Sequence, residues 1–149
     1  MEYKFDYQLD IKGKVTIKAN GKEIDKPVTI SKSTPIVDKL ELQPFNNLTI
    51  KEGILHIPGT TGTVPIDSTD LVGVLKVIDQ YGEDITFSVT GGIKMTATDL
   101  VNSDNDNTIP EVSGNGTSTL QFSGMETGDS FKLTYIVDEK SLTTKVIVQ

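Results

Sequence analysis

The stretch Asp99-Leu100-Val101-Asn102-Ser103-Asp104-Asn105-Asp106-Asn107 is the part of this chain best supplied for chemistry. It alternates carboxylate and amide oxygens, and a hard cation such as Ca²⁺ takes six to eight oxygen ligands. Asp99, Asp104 and Asp106 are the candidate metal ligands. The spacing is not that of an EF-hand: counted from Asp104, the sixth position is Ile109 rather than Gly and the twelfth is Asn115 rather than Glu. The competing reading is a solvated loop in which Asp and Asn bond their own backbone. Asp67 and Asp70 are lesser candidates for the same chemistry.

Other reaction classes find little support. His56 is the only histidine and lies between Leu55 and Ile57, so it is expected on the polar face of a strand. Cysteine is absent, and no nucleophile elbow precedes a helix. Gly91-Gly92 and Gly114-Asn115-Gly116 lack the strand-to-helix setting of a phosphate loop and read as turns. Paired carboxylates for glycoside hydrolysis are a spatial matter on which sequence does not rule, but aromatic residues make up only 6% of the chain, too few for an extended sugar-stacking cleft. Asn47-Leu48-Thr49 and Asn115-Gly116-Thr117 match a glycosylation sequon too short to carry weight. The expectation is a chain with no catalytic site and no cofactor other than calcium.

Composition narrows the partners. All 14 basic residues are Lys, and the net charge is −7. Without guanidinium forks and with a field that repels polyanions, nucleic acid is a poor partner. No apolar run reaches the length of a membrane span, and Met1-Glu2-Tyr3-Lys4 is no signal peptide, so an export signal is expected outside this sequence. An acidic, Lys-rich, Cys-free chain suits an exported bacterial surface protein, whose stability rests on packing and ladder hydrogen bonds.

The elements that must position these groups are strands. Alternation marks Tyr3 to Leu9, Lys14 to Ala19 and Glu23 to Ser31, with Asn20-Gly21 as a type I′ hairpin turn and Pro27 suited to an edge. Val15, Ile17 and Ala19 share one strand face, and Ile24, Val28 and Ile30 share another. Leu40 and Leu42, Leu48 and Ile50, and Ile54, Leu55 and Ile57 mark further strands. Leu71 to Ile78 is apolar on both faces and reads as a central strand covered on each side. Ile85 to Val89 alternates with a period of two, as do Ile93, Met95 and Ala97. No window has helical spacing with caps, so the chain is expected to be all-β. The expected core comprises Val74, Leu75, Val77, Ile85, Phe87, Val89, Leu120, Phe122, Phe131, Leu133, Tyr135 and Val146.

Lys14 to Ser31 is echoed without a gap by Lys132 to Gln149, an offset of 118 residues. That is near the length of one β-sandwich plus a linker. Residues 1–34 therefore read as the closing hairpin of a preceding domain and its linker, the boundary falling within the polar connector Ser31-Lys32-Ser33-Thr34-Pro35 that ends in Pro. Residues 35–149 read as a whole domain.

Val77-Ile78-Asp79-Gln80-Tyr81-Gly82-Glu83 resembles the strand-and-turn of the immunoglobulin-like (Ig-like) domains in Bacillus-type S-layer proteins and related Gram-positive surface proteins. Phe131 to Gln149 resembles the last two strands of those domains. Lys39 to Leu42 and Asn47 to Gly53 resemble their first ones, and Lys14 to Thr34 the end of a preceding repeat. Two extra loops, Pro58 to Asp70 and Asp99 to Gly116, depart from the compact pattern. The resemblance implies an Ig-like β-sandwich, a structural role as spacer and lattice contact at the bacterial cell surface, other copies or neighbouring domains as partners, and assembly with Ca²⁺. A phage or virion structural protein, or a carbohydrate-binding accessory module of a secreted enzyme, are the alternatives. Asp79 can accept its own turn's backbone N–H groups and Gly82 can take positive φ, so the motif is explained as a turn without any site.

Overall fold

The computed structural model describes residues 11–30, 34–59, 64–103 and 108–149. The chain divides into two compact units, Met1–Thr34 and Pro35–Gln149. The expected strand from Tyr3 to Leu9 and the connector residues Ser31 to Ser33 lie outside the described residues.

In the first unit, β1 (Ile11–Ala19) and β2 (Lys22–Ile30) form an antiparallel hairpin. Asn20 and Gly21 both take positive φ, 50° and 74°, as a type I′ turn requires. The register sets Ile17 opposite Ile24, so Val15, Ile17, Ala19 and Ile24 fall on one face of the ribbon. The other face carries charged side chains. There Lys14 pairs with Asp25 at 2.7 Å, Thr16 donates to the same carboxylate at 2.7 Å, and Lys18 pairs with Glu23.

The second unit is all-β apart from two short helices. Its strands are β3 (Val37–Leu42), β4 (Thr49–Lys51), β5 (Ile54–Ile57), β6 (Leu75–Asp79), β7 (Lys94–Val101), β8 (Glu111–Ser113), β9 (Gln121–Ser123), β10 (Ser130–Val137) and β11 (Lys140–Val148). Five of them make one sheet in the order β4-β5-β11-β10-β7. All neighbours in it are antiparallel except β5 and β11, which run parallel. β3 pairs with β6 and β8 with β9 as separate antiparallel ribbons. Alternation along β10 sends Phe131, Leu133, Tyr135 and Val137 inward, where they meet Val37 and Leu40 of β3, Leu75 and Val77 of β6, and Val146 and Val148 of β11 in one core. The free edge of β7 is occupied. The Asn115 side-chain amide imitates a strand there, accepting from Ala97 N at 2.8 Å and donating to Ala97 O at 3.1 Å, while Met95 N donates to Thr117 O at 2.7 Å.

Two expected strands are corrected. Leu71 to Ile78 is not one strand: α1 (Ser68–Gly73) takes its first part and β6 its second. Asp67 caps the helix by accepting from Thr69 N at 2.7 Å, and Leu71 is the residue the helix buries. A short stretch apolar on both faces fits a covered strand or a buried helical turn equally well, and the cap decides. Ile85 to Val89 is likewise not a strand, because α2 (Thr86–Val89) stands there, followed by a 3-10 turn at Thr90–Gly92. The Asp84 carboxylate accepts from Thr86 N at 3.0 Å and from Thr86 Oγ1 at 2.7 Å, and Thr86 Oγ1 itself accepts from Val77 N at 2.8 Å. These bonds end the extended path. Phe87 is consequently not in the core but 95% exposed, and Ile85, Val89 and Phe122 are half-buried at its margin. The other expected core residues are buried.

Candidate functional site

Asp99 is not in a loop. It lies inside β7, with φ of 53°, at a bulge where Asp99 and Leu100 together stand opposite Phe131 of β10. The bulge turns its carboxylate to the surface, where it pairs with Lys132 at 2.8 Å, both side chains being largely exposed. Asp104 and Asp106 lie outside the described residues. The stem that carries them is fixed: Asn102 Nδ2 donates to Thr108 O at 2.8 Å, and Ser103 N donates to Asp129 Oδ1 at 2.9 Å. Asp129 is a buried acid that sequence reasoning missed. Its second oxygen accepts from Glu126 N at 2.8 Å, so the carboxylate ties the loop stem to the turn before β10. The Thr127-Gly128-Asp129 turn was the available signal. Among the described residues no group of three or more acidic or histidine side chains converges as a metal site would require.

His56 sits on β5 between Thr49 of β4 and Ile147 of β11, half-buried. Its Nδ1 is shut from solvent and makes no hydrogen bond. Asp67 caps α1, and Asp70 accepts from Asn46 Nδ2 at 2.6 Å.

Among the described residues a cleft of about 830 Å³ lies beside α1. Ser68, Thr69, Thr90, Ser118 and Gln121 line its rim, and Phe122 is among its apolar residues. Ser68 Oγ is committed to the carbonyl of Leu120, so one rim hydroxyl holds the cleft together. It is not legible in the sequence, because its walls come from three separate segments, around α1, at Thr90-Gly91 and at Ser118 to Phe122.

The turn at Asp79 is as expected from sequence. Asp79 Oδ1 accepts from Tyr81 N at 2.9 Å and from Glu83 N at 2.8 Å, and Gly82 has φ of 84°. Asp79 itself is buried and fastens β6 to its exit loop.

On the first unit, the described apolar side chains of the hairpin are exposed. Val15, Ile17 and Ile24 are 51%, 55% and 56% exposed. Among the described residues neither β1 nor β2 has a third strand beside it.

No family model matches this sequence, and no curated protein matches it. Solved structures of S-layer protein domains resemble it in fold comparison. Domains 4 and 5 of the S-layer protein SbsC align at 19% identity with a TM-score of 0.39, over 94% of this chain and 58% of that one. Domains 4–9 of surface layer protein SbsC align at 19% identity and a TM-score of 0.39, over 95% of this chain and 18% of that one. The structure of rSbsC(31-844) aligns at 19% identity and a TM-score of 0.40, over 95% of this chain and 17% of that one. The chain thus spans less than two thirds of each of these structures.

Proposed function

We propose that this chain is a structural, non-catalytic part of a bacterial surface array, with an Ig-like sandwich serving as spacer and lattice contact outside the cell. One observation carries the reading: the chain holds the same hairpin twice. β1–β2 and β10–β11 have equal return strands, positive φ at the first turn residue (50° at Asn20, 52° at Asp138), and a shared register at an offset of 118. Repetition of a β-module along one chain suits a protein whose task is to hold distance and orientation. Neighbouring modules and other copies are its partners in this reading. Calcium, bound by Asp104 and Asp106 with or without Asp99, would relieve the local repulsion of a chain with net charge −7.

The test is location. An antibody to this chain should label intact cells of the source organism, and electron microscopy of the envelope should show the label at regular spacing. Label confined to the cytosol would sink the proposal, and label on shed virions would favour a phage structural protein.

A second reading draws on the cleft beside α1. Its hydroxyl-lined rim and apolar residues would suit a neutral polyol or sugar, as in an accessory module. Calorimetric titration with soluble cell-wall polysaccharide decides this, and Gln121→Ala should abolish any heat.

A further inference from the structure

The two hairpins differ in what covers them. In β10–β11, Leu133 and Tyr135 are fully buried, and Leu142 opposite Tyr135 is half-buried. At the same places, 118 residues earlier, stand Val15, Ile17 and Ile24, each more than half exposed. The β3–β6 ribbon contributes to the core that buries the inward face of β10–β11. The outer edge of β10 carries β7 antiparallel, and the outer edge of β11 carries β5 parallel. The β1–β2 hairpin has the apolar face and both edges, and among the described residues it has none of these neighbours.

We infer that β1–β2 is the closing hairpin of a second sandwich, and that its bare face is an interface for a β-framework of the same build as residues 35–129. That partner lays an apolar ribbon across Val15, Ile17 and Ile24, an antiparallel strand along β1 and a parallel strand along β2. The source is a neighbouring module that lacks a closing hairpin of its own. A second copy of this chain does not fit, because its framework is already filled by β10–β11, whose larger Leu133 and Tyr135 occupy the places of Val15 and Ile17. A two-stranded ribbon with one apolar face does not stand alone in water, which is the physical demand this partner meets.

The inference rests on the modular reading above, and its test is independent of where the protein resides. Residues 35–129 are fused directly to residue 12 of the chain, which puts β1–β2 in the position and register that β10–β11 hold in the second unit. Hydrogen exchange of the β1–β2 amides is then compared with that in the unaltered chain. They should slow at least about tenfold in the fusion. Ile17→Lys in the fusion should restore the original rates, while exchange in the unit Pro35–Gln149 stays unchanged as the internal control. Unaltered β1–β2 exchange in the fusion, or equal slowing with Ile17→Lys, overturns the inference. Sedimentation of the unaltered chain should show a monomer, and an Ile17-dependent dimer would assign the face to a second copy instead. Cell-surface labelling with a failed fusion would refute this interface and leave the array role standing.

Discussion

The hydroxyl of Tyr135 donates a 2.7 Å hydrogen bond to the backbone carbonyl of Leu71, joining the middle of β10 to α1 across the core. Tyr135 is fully buried, and burial pushes its hydroxyl well above the ordinary tyrosine range, so the proton stays in this bond. Tyr135→Phe removes the donor and leaves Leu71 O without it in a dry site. A loss of about 1–3 kcal/mol is expected, read as a lower urea midpoint with an unchanged slope. An unaltered midpoint would mean that the bond contributes nothing net.

Asp79 offers a comparison of two replacements. Asp79→Ala strips Tyr81 N and Glu83 N of their acceptor and should cost about 1–3 kcal/mol in chemical denaturation. Asp79→Asn keeps one side-chain oxygen and should cost less. Equal losses would show that the charge, and not the acceptor geometry, matters at this turn.

Asp84 predicts an acid dependence. The side-chain and then the backbone hydrogen bond from Thr86 hold its carboxyl below the ordinary aspartate value of 3.8. A depressed folded value stabilises the native state above 3.8, and that contribution fades as pH falls through the folded value. Carboxyl NMR titration should place Asp84 below the ordinary value of 3.8. The Asp84→Asn variant should lose less stability than the unaltered protein over the same acid range. A titration at the ordinary value would refute the α2 capping argument.

Calcium titration examines the loop after β7. The thermal midpoint of the unaltered protein should rise at millimolar Ca²⁺, and that of Asp104→Ala/Asp106→Ala should not. Asp99→Ala should keep most of the response, because Lys132 already occupies that carboxylate. Equal behaviour of all three proteins would leave a solvated loop without a metal.

What could be read in the sequence follows from how local each signal is. Asn20-Gly21 and the Asp79 turn were legible because a positive φ or an Asx acceptor acts within four residues. The strands β5, β7, β10 and β11 were legible because alternation survives wherever one face is buried. α1 and α2 were not, since each is under two turns and its apolar content mimics a strand. Phe87 shows the cost: assigned inward by a period of two, it stands in solvent because Asp84 and Thr86 bend the chain one residue earlier. The candidate metal loop was legible as composition only. That Asp99 sits at a bulge is decided by its pairing with β10, some thirty residues away, which no local pattern encodes.

The parallel pairing of β11 with β5 has a mechanical meaning. β11 lies inside the five-stranded sheet, flanked by β5 and β10, and its end is fastened further by Gln149 N to Ile57 O at 2.8 Å and Val148 N to Asp129 O at 3.0 Å. A tug on Gln149 along the strand cannot peel these bonds off singly. It must slide β11 past both neighbours and rupture the two ladders together, so the sheet resists tension as a seam loaded in shear.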